Sequence, residues 1–282
     1  MQPNLAQRVS LVCFWAYVAL FPGSAIVVAL NAIPAWGQGM GGLLNALQGI
    51  AIAAWMIGLY GRRGAIVTGI TFCLAWAAEH IGVTTGFPFG RYYYTPLLAP
   101  QLFGIVPLPI LLSWLVAAFG SWQLARMTLG EARWGRRWDL PLLLLTATML
   151  LTLDLQIETM ATKINPYWVW VDGGPYYDVP VANFVAWWVI GLIMAGFLSA
   201  VLPHDSRGGG IAEAGDGPWH TQINRVVQPI VPALLYVLSS IMFVSSNLAR
   251  GYPLAGVVGI VFLVVTVIVG RRRGASLAAL RA

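Results

Sequence analysis

The chain reads as an all-α protein, a polytopic membrane helix bundle of about eight transmembrane helices with both termini cytoplasmic. Three observations predict this. Mean hydropathy is +0.75, with 59% hydrophobic and 9% charged residues over 282 positions, where a soluble domain carries about a quarter charged residues. The apolar runs reach the length of about 20 residues that crosses a bilayer as a helix, without the short alternation of an outer-membrane barrel. Thirteen of the sixteen Lys and Arg residues fall on the side holding both termini, the bias expected of cytoplasmic segments.

In order, the predicted spans are 11–30, 42–60, 64–83, 105–125, 140–161, 182–202, 229–248 and 252–270. The first follows Arg8 and exceeds the roughly 7 to 15 apolar residues of a signal peptide, so it reads as a retained span. Gly61-Arg62-Arg63-Gly64 makes a tight turn between the second and third spans, and Arg250-Gly251 does so between the last two. Residues 203–228, Gly-rich with mixed charge, form a cytoplasmic loop. His204 and His220 within it have no Cys or acidic partner at ligand spacing, so no metal site is expected. The whole is one integral membrane domain, residues 1–282, with a motif-bearing core over about 64–202, multi-pass in the cell inner (plasma) membrane and surrounded by lipid. Topology accounts for the net charge of +6, so no nucleic acid partner is expected. Cys13 and Cys73 sit inside apolar runs and read as core packing, not as a disulfide framework. Nothing in the sequence speaks to oligomeric state.

The stretch Asp154 to Trp188 organises the rest. It starts in an apolar run, yet Asp154 and Glu158 lie one helical turn apart, on one face. A carboxylate at bilayer depth costs about 2.5 to 3.5 kcal/mol, which makes function the default reading, with interfacial packing as the bland one. Two such groups in one apolar pocket favour keeping one as the neutral acid. Glu79 and His80 stand near the outer end of the third span, at the same depth; being adjacent, they point about 100° apart and need not share a site.

Two aromatic loops face the same side. One carries Phe87, Phe89, Arg91, Tyr92 and Tyr94; the other carries Asn165, Tyr167, Trp168, Trp170, Tyr176 and Tyr177 and leads to Asn183. Each reads either as an interfacial aromatic belt or as a lid whose rings line a slot and face a cation. Asn165 and Asn183 either orient water or cap helix ends. A short repeat, in which Trp114 follows Val106-Pro107 at the spacing at which Trp187 follows Val179-Pro180, reads as spans three and four echoing spans five and six in parallel orientation. A phosphate loop, a paired Asp-rich motif and an HExxH motif are all missing from the sequence. A retinal protein needs an embedded Lys, and Lys163 is assigned to a loop.

The blocks E79-H-I-G-V-T-T-G-F-P-F-G-R-Y-Y-Y-T95, V106-P-L-P, D154-L-x-x-E, N165-P-Y-W-V-W and G174-P-Y-Y-D-V-P-V-A-N-F-V-A-W187 resemble the CruF-type carotenoid 1,2-hydratases over about residues 75–190. The chain departs from that pattern at Glu158-Thr159, where the family has D-P, and at Asp178 and Ala186, where it has Gly. The resemblance implies acid-catalysed addition of water to the C1=C2 bond of an acyclic ψ end group, as in γ-carotene, lycopene or bisanhydrobacterioruberin. That makes the chain a hydro-lyase whose partners are a lipid-soluble carotenoid and water, with no cofactor. Asp154 is the first choice of acid, with Glu158 or Glu79 as its partner. His80, Phe87, Phe89, Arg91, Tyr92, Tyr94, Asn165, Trp168, Trp170, Tyr176, Tyr177 and Asn183 form the substrate wall. A proton-coupled transporter, or a cyclase or isomerase acting on isoprenoids, places acids in the same way.

Overall fold

The computed structural model describes residues 3–37, 39–130, 139–202 and 219–281. Helix α1 (Leu5–Ala29) starts at a capping box: the Asn4 side chain accepts from the Gln7 N–H at 2.9 Å, and the Gln7 side chain accepts from the Asn4 N–H at 3.0 Å. The Asn4 amide also donates to the Gly58 carbonyl of α2 (Met40–Tyr60), which ties the start of one helix to the end of the next. Between α2 and α3 (Arg62–Thr85) the chain reverses at Gly61 alone, whose φ of +57° is open to glycine without a Cβ clash.

Beyond α3 the chain leaves helix. Strand β1 (Tyr92–Tyr94) is followed by a small hairpin of β2 (Gln101–Leu102) and β3 (Val106–Pro107), and Pro107 then caps α4 (Leu108–Leu129). Helix α4 is the centre of the bundle. It packs against α2, α3, α5 and α8, and 78% of its apolar window is buried. Helix α5 (Leu140–Thr159) continues into a π-helical turn (Met160–Ile164), and β4 (Trp168–Trp170) leads to α6 (Val181–Val201). The chain closes with the short α7 (Trp219–Val227), then α8 (Val231–Ala249) and α9 (Pro253–Arg281).

Polar side chains hold the helices together where lipid offers no hydrophobic gain. Gln123 of α4 accepts from the Ala233 N–H, satisfying one of the free donors at the start of α8. Gln156 of α5 accepts from Ser240 at 2.7 Å, and its backbone carbonyl accepts from the Asn247 amide at 2.9 Å. Small residues allow close approach. A Cβ at Gly191 of α6 would lie 3.0 Å from the Ala147 Cα of α5, and one at Gly120 of α4 would lie 2.8 Å from the Tyr236 Cβ of α8.

Among the described residues, seven helices are long and apolar enough to cross a membrane. The eighth predicted span, 252–270, coincides with Pro253–Val269, the shorter apolar part of α9. Cys73 corrects the reading of both cysteines as core: it is exposed on the outer face of α3, where a thiol meets lipid as readily as protein. Arg133, Arg136, Arg137, the loop from 203 to 218 with His204, and the His220 side chain lie outside the described residues.

Gly191→Val pushes α6 away from the α5 backbone. The expected cost is about 1–3 kcal/mol, seen as a lower thermal midpoint in detergent. An unchanged midpoint contradicts the close packing of these two helices.

Candidate active site

Two carboxyls are held in matching ways. Glu79 is buried on α3, and residues 92 and 94 alternate onto one face of β1. Both phenols therefore donate to Glu79 Oε2, Tyr92 at 2.6 Å and Tyr94 at 2.7 Å, while Trp114 Nε1 donates to Oε1 at 2.7 Å. Burial first, then the Glu79 charge, pushes both phenols above their ordinary range, so they remain O–H donors.

Glu158 repeats the pattern with other donors. Trp168 and Trp170 share a face of β4 and donate to Glu158 Oε2 at 3.2 and 2.8 Å. Asn183, the third residue of α6, donates to Glu158 Oε1 and to Asp154 Oδ2, at 3.0 Å each. Asp154 is wholly buried, and its Oδ1 has no hydrogen-bond partner among the described residues. Among the described residues, the side-chain partners of these three carboxyls are phenol, indole and amide donors, with no cation among them.

The two loops meet as an antiparallel ribbon. Tyr92 pairs with Trp170, Tyr93 with Val169 and Tyr94 with Trp168. Outside it, Arg91 and Asp172 form an ion pair at 2.6 Å. Hydrogen bonds from Arg91 hold the Asp172 carboxyl below its ordinary range. The pair therefore persists at neutral pH and is lost only as acid titrates Asp172 through that lowered value; both groups are exposed, and water screens it. On the inner side, Trp114 and Trp187 stack with ring centroids 4.0 Å apart and planes 7° apart. The sequence repeat thus becomes a face-to-face contact between α4 and α6.

Together these elements enclose a cavity of about 140 Å³. Glu79, Glu158, Asn183, Phe89, Tyr92, Tyr94, Trp168 and Trp170 line it, as do Trp114, Trp187 and Tyr167, which are not among the wall residues expected from the sequence. The equal Val-Pro-to-Trp spacing was a signal for the first two. Its far end is polar: Gln48 donates to Ser239 at 2.9 Å beside Tyr17. A Gln inside an apolar run was a signal for this end, whereas nothing in the sequence singled out Tyr17.

Other predicted site residues lie elsewhere. Asp154 does not line the cavity and reaches it through Asn183. His80 turns away from Glu79 and stacks on Trp76 at 5.0 Å, as adjacent helix positions require. Phe87 is 74% exposed, and Arg91 is engaged by Asp172. Tyr176 donates to the Leu155 carbonyl, and Tyr177 accepts from the Leu254 N–H, so both brace helices instead of facing the cavity. Asn165 ends the π-helical turn and lines a second cavity beside the first.

Comparison with known proteins gives a family and a relative. The family described as "Carotenoid biosynthesis protein" matches residues 40–266. A protein of Haloarcula japonica named bisanhydrobacterioruberin hydratase is 26% identical over 144 residues, which is 51% of this chain and 47% of the relative. The match thus spans about half of each protein. No solved structure matches.

Glu158→Leu leaves two indole N–H groups and one amide N–H without an acceptor, at about 1–3 kcal/mol for each stranded donor. Its thermal midpoint in detergent is expected to fall below that of Glu158→Gln, which keeps an acceptor oxygen. Equal midpoints contradict these hydrogen bonds.

Proposed function

Because the chain belongs to the carotenoid biosynthesis protein family, we propose that it is a carotenoid 1,2-hydratase, a hydro-lyase that adds water across the C1=C2 bond of an acyclic ψ end group. γ-Carotene, lycopene and bisanhydrobacterioruberin present such an end. One observation carries the reading: two glutamates stand in the wall of a ring-lined apolar cavity, each with one oxygen taken by two ring donors and the other by a single donor. An oxygen with one donor keeps a lone pair for a proton. That is the equipment for giving a proton to an alkene and taking one from water.

Glu158 is the acid. It shares Asn183 with Asp154, and two bare negative charges bridged by one amide in apolar surroundings are costly enough that the pair keeps a proton. Asp154 is then the acid's neighbour, reaching substrate only through Glu158 and Asn183. Glu79, on the two phenol-donated bonds, is the carboxylate.

The electrons follow simply. The alkene π pair takes the Glu158 proton at C2, forming a C–H bond and leaving a tertiary cation at C1. The faces of the surrounding indoles stabilise that cation, by up to about 2 kcal/mol for a desolvated ring. Water attacks C1, and Glu79 takes the proton released as the C–O bond forms. That proton returns through water to the Asp154–Glu158 pair, so the sum is alkene plus water to tertiary alcohol. The ribbon end of the bundle faces away from the cytoplasm across the inner membrane, following the distribution of basic residues.

Expression in a host accumulating lycopene or γ-carotene, followed by chromatography and mass analysis of the pigments, tests this. The product is expected to gain one water per modified end and to become more polar, with its absorption spectrum barely moved, because C1=C2 lies outside the conjugated system. Pigment of unchanged mass across several acyclic substrates rejects hydration, and changed mobility at unchanged mass points to cyclisation or isomerisation. Glu158→Gln and Glu79→Gln are each expected to lower turnover by about 10²-fold or more, with Asp154→Asn less severe because Asp154 does not line the cavity. Full activity in Glu158→Gln removes it as the acid.

A further inference from the structure

A second cavity lies beside the first, at the same end of the bundle. Its volume is about 560 Å³, four times that of the catalytic cavity. The outward-running half of α1 forms one wall, through Gly23, Ser24 and Val27, and the segment from Ile33 to Gly37 covers another side. The π-helical turn and Asn165 complete it.

The two cavities adjoin. Gly41, Leu44, Met160, Tyr167 and Met242 line both. At this junction a Cβ on Gly41 would run into the Tyr167 hydroxyl, so glycine leaves the room in which that ring sits. The Tyr167 backbone is fixed: its N–H reaches the Ala161 and Asn165 carbonyls, and its own carbonyl accepts from the Thr95 N–H at 2.8 Å. The boundary between them is therefore a ring on an anchored backbone with three flexible aliphatic or thioether side chains around it.

Volume decides what each cavity holds. A cavity of about 150 Å³ takes a molecule the size of benzene. The catalytic cavity, at about 140 Å³, thus receives one branched end group, while a long polyene attached to that end has to leave through an opening. At the shared boundary the flexible side chains of Leu44, Met160 and Met242 can move aside for it, and the larger cavity is bordered mostly by apolar side chains. We infer that the second cavity is the binding site for the polyene chain of the substrate, entered past Gly41 and Tyr167, with the reacting end in the first. This rests on the hydratase reading and adds to it a chain-binding site that selects long substrates over short ones. Binding energy from the remote chain then positions the reacting end.

Gly23 supplies the test, since it lines the second cavity alone and a Cβ there meets no heavy atom within 4 Å. Gly23→Phe fills that space. The ratio of turnover on lycopene to turnover on a short acyclic isoprenoid with the same end group is expected to fall about tenfold or more; being a ratio, it does not depend on how much protein folds. A second reading uses Gly23→Cys in a chain with Cys13→Ser and Cys73→Ser. Lycopene is expected to slow maleimide labelling of this cysteine at least about fivefold, the labelling being limited to the fraction of sites left open. An unchanged ratio with unchanged labelling overturns the chain-binding site, and equal protection by membrane lipid without pigment overturns the substrate as its occupant. A wild-type chain that hydrates no acyclic pigment fails the hydratase reading itself, whereas active wild-type protein with an unaltered ratio fails the chain site alone.

Discussion

Burying carboxyls in an apolar bundle is the constraint on which this structure depends. Glu79, Asp154 and Glu158 are all at least 95% buried, and a bilayer supplies no water to solvate them. The protein answers with donors that are themselves mostly apolar. Two phenols, three indoles and one amide donate to these carboxyls, so each polar group brings a large hydrophobic body with it. The same rings that neutralise the burial cost build the cavity wall. Solving the acid problem and building an aromatic pocket are one operation here.

That solution explains the departures from helix. Phenol or indole donors on a helix would be spread around its circumference, but alternate residues of a strand share one face. Tyr92 and Tyr94 therefore reach one oxygen of Glu79, and Trp168 and Trp170 reach one oxygen of Glu158. Two three-residue strands would not persist alone. Their pairing with each other, between the ends of α3 and α5, holds both sets of donors at once. Close packing of α5 on α6 through Gly191 and Ala147 then keeps Asn183 within reach of both Asp154 and Glu158.

The repeat has a similar physical meaning. Val-Pro immediately precedes each of α4 and α6, and each proline holds the N-cap position with φ fixed at −62°, which sets how the chain enters the helix. A Trp at equal spacing from each then arrives at equal depth, and the two rings stack. The two halves are not identical in chemistry. One carboxyl is held by phenols and the other by indoles, and the second has an acid neighbour.

Much of this was legible in the residues. The spans lie close to their predicted limits, Gly61 and Gly251 mark turns with positive φ, and the one-turn spacing of Asp154 and Glu158 placed both on one face. These depend on local periodicity and backbone sterics, which a sequence carries directly. Hydropathy, however, scores a lipid-facing side chain and a protein-facing one alike, so it did not separate exposed Cys73 from buried Ala75. Nor did it tell Phe87 from Phe89, two residues apart in one loop and on opposite sides of the cavity wall. The strand register, the position of Asp154 behind Asn183, and the wall shared by the two cavities join residues tens of positions apart. The sequence by itself determined that acids and rings would gather at one end of a membrane bundle. Only the tertiary structure decided which acid meets which ring, because that choice belongs to contacts between distant segments and not to the chemistry of any one of them.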